Sequence, residues 1–282
     1  MQVERAPLSR VVFVHGIGQG KISPEGLLAV TRADMILNGL MDADATVDAP
    51  YYEDCHHEVG AMGTSSDLST TNLHDGLDEY DALQLELLTL FLSRAGRSGG
   101  MGVSRSFLDS FMRSPSSFPL QNAVVAMVRS VSRYLSKDAI RECSLRRVAD
   151  AITEDTRVVV AHSLGSVVAY EALLGNRIER QPVFVTLGSP LGLSPIRSSL
   201  QGRFASVGDR LPAPPVASWL NVSVADDWVP AVPILSEYYH GVQDVSLPGS
   251  GLFANSSLTA HSRSSYLAID EVVKKVRGAL AE

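Results

Sequence analysis

The stretch Val158-Val159-Val160-Ala161-His162-Ser163-Leu164-Gly165-Ser166 holds a serine whose surroundings suit it to nucleophilic chemistry. The valines read as a buried strand. Val167, Tyr170, Leu173 and Leu174 at helical spacing read as a helix that opens near Leu164 and stops at Gly175. Small residues two before and two after the serine let strand and helix approach around a strained turn. Such a turn exposes the hydroxyl at the C-terminal edge of a sheet, above a helix N-terminus that favours developing negative charge. Ala161 replaces the first glycine of a strict G-x-S-x-G pattern, yet alanine is still small enough for the turn. The competing reading is a serine that merely caps the helix.

A second stretch, Val11-Val12-Phe13-Val14-His15-Gly16-Ile17-Gly18-Gln19-Gly20, is a strand running into a glycine-rich loop. Backbone N–H groups of such a loop can face an oxyanion. A phosphate cradle is the competitor. The glycine spacing does not match a dinucleotide fingerprint, and no Walker Lys-Ser/Thr follows. Cys55-His56-His57, with Glu53 and Asp54 beside it, invites a metal reading. Adjacent residues wrap one tetrahedral ion poorly and no second ligand pair follows at zinc spacing, so no metal is expected. Cys55 and Cys143 are too few for a disulfide framework, and reduced thiols in a cytoplasmic protein are expected.

VHGIG at 14–18, AHSLGS at 161–166 and TLGSPLGL at 186–193 resemble, in that order, motifs of the lipase-like branch of the α/β-hydrolase superfamily. The resemblance runs over nearly the whole chain and is least informative across residues 60–150. It implies a Ser-His-Asp triad with no cofactor, and an ester as substrate. Ser163 is then the nucleophile. The oxyanion donors map onto the backbone N–H groups of Ile17 and Leu164, while His15, Gly16, Gly18, Ser189 and Pro190 line the site. The family order of serine, acid, histidine directs the search for the other two members. A serine hydroxyl needs a histidine to take its proton, and the acid fixes that histidine's tautomer. After the strand at 220–224 comes Asp226-Asp227-Trp228-Val229-Pro230. Its Asp-x-Val-Pro ending resembles the family's acid turn and favours Asp227, with Asp226 as runner-up and Asp244 a distant third. His261 falls between the last strand and the terminal helix, whereas His240 precedes that strand. His15 is expected behind the glycine loop, and His162 to point away from the site.

These groups need a scaffold. Apolar runs at 11–14, 45–52, 158–161, 183–187, 220–224 and 242–247 read as six buried strands separated by helical patterns. The class is therefore α/β, with a mostly parallel sheet covered by helices on both faces. The terminal helix is expected over 266–280. Residues 78–153 break the alternation with helical patterns alone, such as Leu83, Leu87, Leu88 and Phe91, then Val124, Val128, Val131 and Leu135. This reads as a helical insertion into a single domain over 1–282. Residues 96–120, rich in Gly and Ser but bearing several large apolar groups, read as a possible lid. Scattered methionines, Met127 among them, read as core filler.

The net charge of −7 over 282 residues argues against a nucleic-acid binder. It also hides a contrast: residues 91–149 carry 10 Lys+Arg against 3 Asp+Glu, so the insertion is basic in an acidic chain. Arg129, Arg133, Lys137, Arg141, Arg146 and Arg147 form either a solvated face or an attraction to an anionic membrane. The leading expectation is an esterase or lipase. The alternatives are a membrane-recruited phospholipase or lipid deacylase, and a non-catalytic module of the same fold. No apolar run is long enough for a membrane span, and no secretory leader is expected.

Overall fold

A computed structural model describes residues 10–18, 22–58, 81–95, 118–176, 178–230, 232–249 and 261–282. Six strands form one all-parallel sheet: β1 (Arg10–Val14), β2 (Thr46–Asp48), β3 (Thr156–His162), β4 (Val183–Leu187), β5 (Ser218–Val224) and β6 (Val242–Leu247). Their order is β2-β1-β3-β4-β5-β6, so β3, which carries the serine turn, lies inside the sheet between β1 and β4. In an all-parallel sheet every strand ends at the same edge. The loops after β1, β3, β4 and β5 therefore converge there.

Strand alternation divides the apolar residues between the two faces. Val12, Val14, Val159 and Ala161 belong to one core, and Val11, Phe13, Val158 and Val160 to the other. The second core is covered by α1 (Pro24–Leu37) and the terminal helix α9 (Asp270–Ala281) through Met35, Val272 and Val276. The first is covered by α3 (Ala82–Ala95), α4 (Phe118–Ser136), α5 (Asp138–Ala151) and α6 (Gly165–Gly175). The short helices α2 (Cys55–Glu58), α7 (Ser194–Gln201) and α8 (Arg263–Leu267) complete the described elements, with a 3₁₀ turn at Pro190–Gly192. Apart from junction residues such as Lys137 and Ile152, the described part of the insertion is helical, and Leu87, Leu88, Phe91, Val124, Val128 and Val131 are buried as their periodicity predicts. The possible lid at 96–120 lies outside the described residues, apart from the first turn of α4.

Three expectations about the elements need correction. β2 spans only three residues rather than 45–52. It is an edge strand paired only with β1; Pro50 cannot donate to a ladder, and the chain beyond it turns so that Tyr52 packs on His15. The terminal helix is broken. α8 ends at Leu267, Ile269 is extended, and α9 restarts with Asp270 and Glu271, acidic residues suited to a helix N-terminus. The break lets Tyr266 reach the sheet edge while Val272 and Val276 pack beneath it.

The thiols are the third. Cys55 of α2 and Cys143 of α5 form a disulfide across 88 residues instead of standing reduced. Sequence spacing gave no sign of this, because only the packing of α2 against α5 brings the two together. Packing of the insertion also occupies half of the basic residues named above. Arg133 donates to the His56 carbonyl (3.3 Å), and Arg147 reaches the Tyr51 carbonyl (2.9 Å) and Asp54 (2.7 Å). Arg141 Nε donates to buried Glu171 of α6 (2.8 Å), which also accepts from Tyr134 of α4 (2.9 Å). These bonds latch the insertion to the helix behind the serine. Among the described residues no helix is long and apolar enough to cross a membrane.

Candidate active site

The β3–α6 turn is as tight as its small residues suggest. Ser163 has φ +57°, a left-handed conformation shared by no other non-glycine residue among those described. A bulky residue in that region is strained, and such strain clusters at functional turns. Gly165 permits the crossing: a Cβ there would lie 2.3 Å from the His15 carbonyl oxygen and 2.5 Å from that of Val14. Ser163 N–H donates to the Leu187 carbonyl (3.0 Å), fixing the turn to β4.

Around Ser163 Oγ the predicted partners come together. His261 Nε2 lies 2.9 Å from Oγ, and His261 Nδ1 lies 2.8 Å from Asp227 Oδ2. Asp227, in the loop after β5, is fully buried. Its Oδ2 also accepts from the Tyr266 hydroxyl (2.6 Å), and its Oδ1 accepts from Val229 N–H (2.9 Å). Burial, and then the neighbouring Asp227 charge, push the Tyr266 phenol well above its ordinary range, so it stays a donor. Asp226 does not face His261; its carboxyl lies against Gly249. Asp244 is occupied elsewhere, accepting from Asn221 and from the backbone N–H groups of Leu235 and Ser236, which fixes the segment beyond the acid turn. His240 bonds the Val207 carbonyl.

A cavity of about 420 Å³ opens over the serine. Gly16, Ile17 and Gly18 of the glycine-rich loop form one wall, and Ala123, Ala126 and Met127 of α4 form another. Met127 Sδ stands 4.0 Å from Ser163 Oγ. His15 is held behind the loop and also borders the cavity. Its Nδ1 donates to the Gly16 carbonyl (2.5 Å), its Nε2 accepts from Tyr52 N–H (3.4 Å), and its ring stacks on Tyr52 at 4.2 Å. The Tyr52 hydroxyl donates to the His15 carbonyl. Burial lowers the His15 pKa to about 4, which keeps Nε2 a bare acceptor at neutral pH. Leu164, the other expected oxyanion residue, buries its side chain in the core where α6 begins.

Ser189 and Pro190 are not among the residues lining the cavity. Both are buried. Ser189 Oγ meets Ser166 Oγ at 2.6 Å, and Ser166 Oγ donates to the Ser163 carbonyl (2.6 Å). Through Ser166, Ser189 braces the turn that carries Ser163. His162 is also corrected. It borders the cavity, with its ring 4.7 Å from that of His261, instead of pointing away from the site. Tyr266, Met127 and Trp228 were missed as site residues. Only Trp228 carried a signal, its place inside the acid turn. Cys55, within the Cys-His-His run, is bonded to Cys143 and supplies no thiolate for a metal.

Comparison with family models, with curated proteins and with solved structures finds no match to this chain.

Proposed function

We propose that this chain is a serine hydrolase of α/β-hydrolase type that cleaves carboxylic esters. The observation that carries the reading is the continuous hydrogen-bonded line from Ser163 Oγ through His261 to buried Asp227. Support also comes from the left-handed Ser163 at the end of a central parallel strand and from the chain order serine, acid, histidine.

In this reading the Ser163 hydroxyl gives its proton to His261 Nε2 as Oγ attacks the ester carbonyl carbon. Asp227 remains ionised, accepts the His261 Nδ1 proton in a hydrogen bond, and stabilises the imidazolium. Tyr266 and the Val229 N–H hold that carboxylate in place. The carbonyl oxygen becomes an oxyanion between the backbone N–H groups of Ile17 and Leu164, aided by the N-terminus of α6. His261 then protonates the departing alkoxide, leaving an acyl-serine. Water, deprotonated by His261, attacks the acyl carbon, releases the carboxylic acid and restores Ser163. The apolar wall of Ala123, Ala126 and Met127 suits the acyl part of an uncharged ester. The Arg263 guanidinium at the rim is held by Asp34 (2.8 and 3.0 Å).

A fluorophosphonate probe tests the reading, because it phosphonylates only an activated serine. Wild type is expected to label and Ser163→Ala to label at background. Wild type that stays unlabelled, or equal labelling of both, overturns the proposal.

A further inference from the structure

His162 precedes the nucleophile, and its side chain is 8% exposed. Three contacts converge on it. Its ring lies 4.7 Å from the His261 ring, tilted 32°. Its ring also lies 5.9 Å from that of Tyr266, tilted 54°. Nδ1 stands 3.4 Å from where a Gly16 Cβ would be, so the ring abuts the glycine-rich loop as well.

We propose that His162 is a positioning residue for the general base, clamping the ring of His261 to the turn that carries Ser163. His261 needs such a clamp, since it follows β6 by fourteen residues and belongs to no helix or strand. Hydrogen bonds to Ser163 and Asp227 hold the imidazole by its two nitrogens, and the His162 ring packs against it from the residue adjacent to the nucleophile, so base and nucleophile share one reference point. Burial first, and then the adjacent His261, push the His162 imidazole well below its ordinary range. It therefore stays neutral and does not place a second cation beside His261 when that ring takes the serine proton. Arg263 and His15 act in the same direction, and the one carboxylate bonded to His261 is Asp227.

The inference rests on the hydrolase reading, and one experiment separates the two. Fluorophosphonate labelling is followed at several probe concentrations to give kinact and KI, with thermal melts alongside. His162→Ala is expected to lower kinact on the order of 10–100-fold with KI unchanged, since a displacement of about 1 Å in a catalytic group has that effect. His162→Phe returns a flat ring, and His162→Leu returns bulk without one. Phe is expected to recover part of the loss and Leu is not, whereas a merely space-filling role predicts recovery by both. Equal kinact for wild type and His162→Ala overturns the proposal, as does a loss that Phe does not recover, one that Leu recovers equally, or one confined to KI. Failure of wild type to label overturns the hydrolase reading itself.

Discussion

Gly188 supports the Asp227–His261 pair from beneath, and replacing it with alanine puts the geometry under a measurable load. Its φ of +54° is left-handed, which alone costs alanine about 1–2 kcal/mol relative to glycine. The added Cβ would lie 2.8 Å from Asp227 Oδ2, 3.1 Å from His261 Nδ1 and 3.1 Å from Tyr266 Cε2. Ordinary contact begins at 3.4 Å, so the carboxylate must retreat by 3.4 − 2.8 = 0.6 Å. The backbone cannot yield, because Gly188 N–H is bonded to the Val222 carbonyl of β5 (3.1 Å). That retreat loosens two bonds at once, the 2.8 Å contact with His261 and the 2.6 Å contact with Tyr266. The expected result for Gly188→Ala is a drop in fluorophosphonate labelling of roughly 10–100-fold. Stability should fall by about 1–3 kcal/mol, read as a Tm lower by several degrees. Gly278→Ala is the control, since nothing lies within 4 Å of its Cβ at an exposed position of α9, and it should label as wild type with unchanged or slightly raised Tm. Wild-type labelling by Gly188→Ala would refute the argument that Asp227 and His261 are held to within a fraction of an ångström.

Two further predictions concern the scaffold. Cross-linking residues 88 apart removes loop entropy from the unfolded chain worth about 4–5 kcal/mol in the chain-entropy account. Cys143→Ser, or a dithiol reductant, is therefore expected to lower the denaturation midpoint, and unreduced unfolded protein should present no reactive thiol; a free thiol there would refute the bridge. The buried neutral His15 makes stability depend on pH. Its folded pKa of about 4 lies below the unfolded value of 6.5, so the unfolded chain binds more protons between the two. Its contribution is complete above pH 6.5 and declines as pH falls towards 4, by on the order of 2–3 kcal/mol. Urea unfolding at pH 7 and pH 5 measures this loss. His15→Gln should flatten it, and an unchanged slope in that variant would refute the assignment.

Short-range pattern carried much of this molecule. The valine runs of β1 and β3 announce buried strands because both faces of an all-parallel sheet are covered, and Ala161 and Gly165 announce the tight turn through their size alone. Family-like order then led to Asp227 and His261, and the structure brings both to Ser163. What sequence could not supply depends on which surfaces meet. The left-handed Ser163 turns the chain at the end of β3, and His162, expected to point away from the site, packs against His261. Met127 sits on an apolar helical stripe indistinguishable from core, and only the docking of α4 over the sheet edge places its sulfur beside Ser163 Oγ. Ser189 looked like a site residue because it follows a strand, yet its hydroxyl is drawn below the turn by Ser166. The basic insertion reads as a charged face until His56 of α2 meets Arg133, Glu171 of α6 meets Arg141, and Tyr51 and Asp54 ahead of α2 meet Arg147. Cys55 and Cys143 become a pair only through that same packing. Strand, helix and turn propensities are local free energies and can be read along the chain. Proximity between residues tens of positions apart is set by how buried faces pack, and that is decided only in three dimensions.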